Sequence, residues 1–323
     1  MKGDWVLGVD VGGTTMKGVV MHRGGEVGSV EATPTRREQG PVAVVRSIVE
    51  FAAELAANLR DREGDGALAG VGIGVPGLVD EKAGIAVQSA NLGWKRVPIR
   101  DQVEQRIGVP AVVGHDVRLA ALAEGIAGAA VGARDYLFVA VGTGIGAAVV
   151  IAGEPYSGAH GAGGELGHMV VDPGGPLCGC GKRGCVEAIA SASALERRYA
   201  EQSGRGDADV TFSARDIVAR ASKGDRSAAK VWDDATEALG LALANYAVLL
   251  DPELVVIGGG VAEAGADLFE PLRKAVGSGL VFGNLPRLAA AALSDAGCRG
   301  AAFHALLGLG VPRQELLAPR TPP

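Results

Sequence analysis

The stretch WVLGVDVGGTTMKGVVM, Trp5 to Met21, decides the fold. Trp5 to Asp10 is a short apolar run that ends in a carboxylate. Val11 to Thr15 is a Gly-Gly-Thr turn, and Met16 to Met21 runs apolar again. Two apolar runs around so tight a turn predict a hairpin rather than a strand feeding a helix. Val27 to Thr33 supplies a third strand. The same pattern returns at YLFVAVGTGIGAAVVI, where Tyr136–Val141 and Ala147–Ile151 flank the turn Gly142–Gly146. A supersecondary unit that occurs twice argues for two similar α/β halves.

Working outward, Pro41–Arg60 has helical spacing, with Val45, Ile48, Val49, Ala52 and Leu55 on one face. A strand at Val71–Val75, a loop through Asn91 and Trp94, a helix at Ile99–Ile107, a strand at Pro110–Val113 and a helix at Val117–Ala130 follow. Beyond the second hairpin lie a Cys-rich loop (Pro173–Val186), several helices up to Leu250, a strand at Leu254–Ile257 and a last helix at Gly300–Leu309. Ala235–Leu250 is the most apolar stretch; Glu237, Asn245 and Tyr246 within it mark a buried helix rather than a membrane span. Gly204–Asp209 reads as a mobile loop, and Pro312–Pro323, with four prolines, as a disordered tail.

The chain has 323 residues, enough for two domains, and is 48% hydrophobic but only 4% aromatic, so the core must be Ala, Val, Leu and Ile. Its 51 glycines gather in short clusters, where backbone must turn tightly or come close to a ligand. A net charge of −6 excludes the basic footprint of a nucleic-acid binder. No charged segment followed by an apolar run marks an export signal, so a cytoplasmic protein without membrane or nucleic-acid partners is expected.

In the first hairpin, Gly12 and Gly13 let backbone N–H groups approach a phosphate, and Thr14 and Thr15 add hydroxyl donors. Asp10 is placed to hold a hydrated Mg²⁺, and Lys17 to add positive charge; an ordinary tight hairpin is the competing reading. No G-x-x-x-x-G-K-[ST] segment occurs, so a nucleotide site here is not a P-loop. Gly142, Thr143 and Gly144 form a second candidate phosphate turn. Gly258, Gly259 and Gly260, after an apolar strand, offer bare backbone on which a nucleotide base can rest. Gly72–Gly77 fits G-x-G-x-x-G, but Pro76–Gly77 favours a turn, no helix pattern follows, and no acidic residue stands about 20 residues on, which argues against a nicotinamide site.

His168, Cys178, Cys180 and Cys185 follow the spacing His-x9-Cys-x-Cys-x4-Cys. Three thiolates and an imidazole match a closed, tetrahedral structural zinc site, and the lone Cys298 reads as core. Asp116, just past the strand ending at Val113, is a candidate general base; on position alone, a helix cap is the simpler reading.

Together these motifs resemble the ROK family of sugar kinases and repressors, from about Leu7 to about Phe303, most specifically over Gly164–His168 and Cys178–Glu187. The resemblance implies an α/β, two-lobed actin-like ATPase (ribonuclease H-like) fold with an interlobe cleft. It implies a small domain of 1–115 plus about 300–323, and a large domain of 116–299 carrying the zinc loop. The implied activity is ATP-dependent phosphorylation of a hexose at its 6-hydroxyl, glucose or N-acetylglucosamine first, with N-acetylmannosamine or another hexose as alternatives. A non-catalytic sugar-sensing regulator of the same fold is the other alternative. The implied cofactors are structural Zn²⁺ and Mg²⁺ with ATP; the implied partners are ATP, a hexose or N-acetylhexosamine, and a second or further copies in a homodimer or homotetramer.

By the same resemblance Asp10, Gly12, Gly13, Thr14 and Lys17 match the first phosphate motif, Gly142–Gly144 the second, and Gly258–Gly260 the adenosine motif. Gly77 lies in a loop beside the sugar; Asn91, Glu165, His168 and Glu187 match residues that hold sugar hydroxyls; Asp116 matches the catalytic Asp. The family's kinases usually read Asn-Asp-x-Asn where this chain has His115–Asp116–Val117–Arg118, so His115 replaces a sugar-contacting amide. Repressor members carry an added helix-turn-helix ahead of the first strand, and this chain opens on that strand, which favours a kinase.

Overall fold

The computed structural model describes residues 3–204 and 212–317. The chain opens with β1 (Trp5–Val11), β2 (Thr15–His22) and β3 (Glu31–Pro34), then α1 (Pro41–Glu63) and β4 (Leu68–Val75). Three short strands follow, β5 (Leu78–Asp80), β6 (Ile85–Gln88) and β7 (Lys95–Val97), then α2 (Ile99–Ile107), β8 (Ala111–His115) and α3 (Asp116–Ala127). The second hairpin is β9 (Tyr136–Val141) and β10 (Ile145–Ile151), with β11 (Glu154–Pro155) beside it. Helices α4 (Val186–Ala190), α5 (Ala192–Ser203), α6 (Ala214–Ala221) and α7 (Arg226–Leu250) lead to β12 (Leu254–Gly258), α8 (Ala266–Gly279) and β13 (Arg287–Ala290). The described chain closes with α9 (Ala296–Gly308) and α10 (Arg313–Leu317).

The two hairpins seed two sheets of one design. The first runs β3-β2-β1-β4-β8 and the second β11-β10-β9-β12-β13. In each, a hairpin pairs antiparallel and two further strands add in parallel on one side: β1 with β4 and β4 with β8, β9 with β12 and β12 with β13. The repeat seen in the sequence is therefore a repeat of topology. The chain forms two compact units: residues 1–131, 157–162 and 292–323, and residues 132–156 and 163–291. Within the first, Leu7, Val9 and Val11 meet Ile48, Phe51 and Leu55 of α1. In the second, Leu137, Val139 and Val141 pack in one core with Leu239 and Leu243 of α7.

The units differ from the division expected at residues 115 and 116, because α3 is locked to the first one. Glu124 on α3 is fully buried, and its carboxylate accepts three backbone N–H groups: Ala129 at 2.6 Å, Ala292 at 3.1 Å and Leu293 at 2.9 Å. Nothing in the sequence distinguished this glutamate from a solvated helix charge.

Helix α9 lies directly on β1 and β4. A Cβ on Gly8 would stand 2.0 Å from the Cys298 carbonyl oxygen, and one on Gly72 would stand 1.8 Å from that of Ala301. Gly300 allows the same approach to α3, 1.9 Å from the Leu119 oxygen. The G-x-G-x-x-G segment is thus a helix-packing surface in mid-strand, and β5 rather than a helix follows it.

Other expectations shift. The loop through Asn91 and Trp94 is flanked by the three-stranded sheet β5-β6-β7. On α1 the buried face is Val44, Ile48, Phe51, Ala52, Leu55 and Leu59, one position round from the expected face, so Val45 and Val49 are only half-buried. Helix α7 starts at Arg226, capped by the Asp225 side chain, and is not buried throughout: Val248 and Leu249 at its end are exposed. Arg313–Leu317 is helical, with Leu316 buried, where a disordered tail was expected. Residues 205–209 and 318–323 lie outside the described residues.

Gly72→Ala should destabilise the protein by about 3 kcal/mol or more, since a rigid backbone carbonyl occupies the space its methyl needs. Gly13→Ala, where a Cβ meets nothing within 4 Å, should stay within about 0.5 kcal/mol by chemical denaturation.

Candidate functional site

The first unit gathers two carboxylates and a glycine turn at the ends of its central strands. Asp10, near the end of β1, pairs in register with Lys17 on β2. The Asp10 carboxylate sits where two glycines make room for it: a Cβ on Gly297, in the first turn of α9, would lie 2.3 Å from Oδ2, and one on Gly74 of β4 would lie 3.6 Å from Oδ1. Burial first, and the neighbouring Asp116 second, push the Asp10 carboxyl up to about 7, against the pull of Lys17. Mg²⁺ is the hard dication that suits a carboxylate held this way.

The turn after Asp10 is braced from outside. The Gly12 N–H donates to the Thr15 oxygen at 3.1 Å. Thr35, fully buried past the end of β3, donates its N–H to the Thr14 oxygen at 2.9 Å and its hydroxyl to the Gly12 oxygen at 2.7 Å. Thr14 and Thr15 are left exposed, as a phosphate-binding turn requires. Thr35 escaped the sequence reading because it lies 23 residues from its partner.

Asp116 is the first residue of α3, and its Oδ1 accepts the Val117 N–H at 2.7 Å. Asp116 is therefore not the helix cap its position suggested: His115 is the capping residue and makes no side-chain cap bond, and the Val117 contact orients the Asp116 carboxylate. His115 Nδ1 lies 3.3 Å from the same oxygen. The Asp116 Cα is 3.5 Å from where a Gly74 Cβ would stand, so Asp10 and Asp116 flank one glycine. Arg118, one helical position on from Val117, is turned inward and buried. Gly77 has a left-handed backbone, φ +92°, against the Gln88 oxygen, and Asn91 is exposed on the turn between β6 and β7.

The second unit carries the remaining motif residues. Gly142–Gly144 turns from β9 into β10, with Thr143 exposed and the Gly142 N–H donating to the Gly144 oxygen at 2.9 Å. Gly258 is in register with Ala140, and Gly259 fits against the Val141 backbone, where a Cβ would stand 2.4 Å from the oxygen. The Gly142–Gly144 turn and the triple glycine are thus neighbours at adjacent strand ends.

His168, Cys178, Cys180 and Cys185 converge, with their ligand atoms all within 4.8 Å of one another. His168 Nδ1 is 3.7 Å from Cys178 Sγ, and Cys180 Sγ is 3.6 Å from Cys185 Sγ. Ligands about 2.0–2.3 Å from one tetrahedral ion stand about 3.3–3.8 Å apart, so the cluster fits a metal of that geometry. The ring's other nitrogen, Nε2, faces Glu165 Oε2 at 3.9 Å. Glu187 joins this cluster to the second turn: Oε1 is 4.0 Å from Cys178 Sγ, and Oε2 accepts the Ile145 N–H at 2.9 Å, against Gly144. One oxygen of a residue expected to hold sugar thus holds the phosphate turn.

Known proteins resemble this chain over nearly its whole length. The sequence model of the ROK family matches residues 6–306. A glucokinase of Thermotoga maritima is 36% identical over 311 residues, covering 92% of this chain and 96% of the relative. The crystal structure of a ROK hexokinase from Thermus thermophilus superposes with a TM-score of 0.81 at 36% identity, covering 95% of this chain and all of the other. That of a ROK family glucokinase from Streptomyces griseus, in complex with glucose and AMPPNP, gives a TM-score of 0.78 at 32% identity, over 94% of this chain and all of the other. The expected actin-like α/β fold is the one these proteins share with this chain.

The raised Asp10 carboxyl makes a pH prediction. Asp10 holds its proton more tightly folded than unfolded, so its burial costs stability increasingly as pH rises from 3.8 to about 7, and fully above that. Without Mg²⁺ and nucleotide, Asp10→Asn should raise the melting temperature at pH 8 by about 5 °C, and the gain should vanish near pH 4.

Proposed function

The chain belongs to the ROK family, and from that premise we propose that it transfers the γ-phosphoryl group of ATP to the 6-hydroxyl of a hexose. Glucose is the first acceptor to test. The observation that carries the reading is the placement of Asp10 and Asp116 on either side of Gly74, beside the braced Gly12–Thr14 turn. A base and a cation-holding carboxylate side by side are what phosphoryl transfer to a hydroxyl needs.

In this reading Glu165 and the outward nitrogen of His168 bind sugar hydroxyls, with Asn91 and the Gly77 loop. Asp116 accepts the proton of the 6-hydroxyl while that oxygen attacks the γ-phosphorus; its Oδ1 is held by Val117, which leaves Oδ2 for the proton. Backbone N–H groups at Gly12–Thr14 and Gly142–Gly144 hold phosphate oxygens, Lys17 adds charge, and Gly258–Gly260 carry the adenosine. Asp10 would hold Mg²⁺, which supplies charge neutralisation at the phosphates. His168, Cys178, Cys180 and Cys185 would hold one structural zinc, which fixes the His168 ring.

A coupled assay of ADP formation over hexoses and N-acetylhexosamines tests the activity directly. Asp116→Asn should lower kcat by about 10²–10⁴ and leave hexose affinity within about threefold; wild-type turnover in that variant would refute the base assignment. Elemental analysis should find one zinc per chain, and Cys180→Ser should lose both the zinc and sugar affinity. A metal-free native protein with full activity would remove zinc from the account.

A further inference from the structure

Arg118 stands where the family's kinases usually have Asn, and its surroundings explain what the exchange does. The side chain is only 4% exposed. Its Nη2 donates to Glu81 Oε1 at 3.1 Å, in the loop between β5 and β6, and its Nη1 donates to the Gly161 oxygen at 3.2 Å. Its buried Nε finds no acceptor among the described residues. A buried donor without a partner is destabilising, so a guanidinium here is a poor choice for stability alone. Such departures concentrate where function constrains a residue.

The three joined segments all lead to acceptor-binding positions. Arg118 is two residues from Asp116 on the first turns of α3. Glu81 follows β5, which begins directly after Gly77. Gly161 belongs to 157–162, a stretch that packs with the first unit although the chain on both sides of it belongs to the second. Gly161 also rests on β5: its Cβ would stand 3.2 Å from Leu78 Cδ1 and 3.3 Å from the Val79 oxygen. Four residues further along the chain is Glu165. The planar fork of Arg118 therefore fixes, in one contact set, the strap before Glu165 and the loop after Gly77, relative to the helix that carries Asp116. An Asn side chain is too short to span both partners, and Lys lacks the fork.

Resting on the kinase reading above, we propose that Arg118 is a positioning residue for the acceptor: its clamp on Glu81 and Gly161 holds the 157–162 strap so that the sugar-binding side chains keep their place. It touches neither substrate. ATP is held by other turns, so the clamp acts on acceptor binding and leaves donor binding alone.

The test compares Arg118→Asn and Arg118→Lys with wild type by steady-state kinetics with glucose and ATP varied separately, and by amide hydrogen exchange on the substrate-free proteins. In Arg118→Asn the acceptor KM should rise about tenfold or more, with the ATP KM within twofold; Arg118→Lys, which keeps the charge and one hydrogen bond, should fall between. Exchange at 157–162 and 80–84 should accelerate about tenfold or more in Arg118→Asn and stay at wild-type rate on the Gly142–Gly146 turn. Unchanged exchange in both segments overturns the clamp. Wild-type turnover with an unmoved acceptor KM in Arg118→Asn, or acceptor and ATP KM rising together, overturns the acceptor role alone. Absence of ADP formation by the wild type with every hexose overturns the kinase reading and the acceptor role with it.

Discussion

The first unit depends on how closely a helix may approach a sheet. Gly8 and Gly72 remove the side chains that would otherwise keep α9 off β1 and β4, and Gly300 removes the one that would separate it from α3. With the helix so near, its first turn reaches the end of β1, and Gly297 opens the space that the Asp10 carboxylate fills. The helix N-terminus brings a partial positive charge to that carboxylate. It does not offset the burial, because the carboxyl is still raised to about 7. Packing thus creates an anionic site that a proton or a bound cation relieves, at the strand end where the first glycine turn lies.

Buried charges in this unit are treated in three ways, and the contrast separates architecture from chemistry. Glu124 is fully buried, and both its oxygens are satisfied by backbone N–H groups from the segments that follow α3 and precede α9. That is a structural charge, since a carboxylate accepting three such bonds is stable without any ligand. Asp10 has no equivalent donors among the described residues. Arg118 has two acceptors for its Nη groups and, among the same residues, none for Nε. The first arrangement is complete in itself; the other two are not.

The features legible in the sequence were local ones. The two hairpins, the match of their sheets and the convergence of His168 with the three cysteines all follow from residues close in the chain or from a repeated pattern. The small sheet β5-β6-β7 was hidden because strands of three and four residues are too short to show alternation. Thr35, Glu124, Gly297 and the Arg118 clamp were hidden for another reason: each works through a partner that only the fold brings near. The Gly-rich segment at 72–77 shows the converse error to which motif reading is prone. Its first two glycines make room for neighbours, Gly72 for α9 and Gly74 for α3 and Asp10, and neither concerns a dinucleotide.

The duplication clarifies why the two units carry different chemistry on one sheet design. At the hairpin of the first unit, carboxylates stand at the strand ends; at that of the second, Glu187 reaches back to the turn from a loop built around thiols. Two neighbouring thiols are pushed in opposite directions. Backbone and neighbouring donors at Lys182 lower the exposed Cys180, while burial and the adjacent sulfurs push Cys185 up to about 12. A dication removes that conflict, because it stabilises every thiolate at once. With such an ion, His168 would be held through Nδ1, the nitrogen beside Cys178, with Nε2 toward Glu165, next to a Glu187 that already spans Cys178 and the Ile145 N–H. A single ion there would thus brace the His168–Glu165 pair and, through Glu187, the Gly142–Gly144 turn, although all four of its ligands come from the protein.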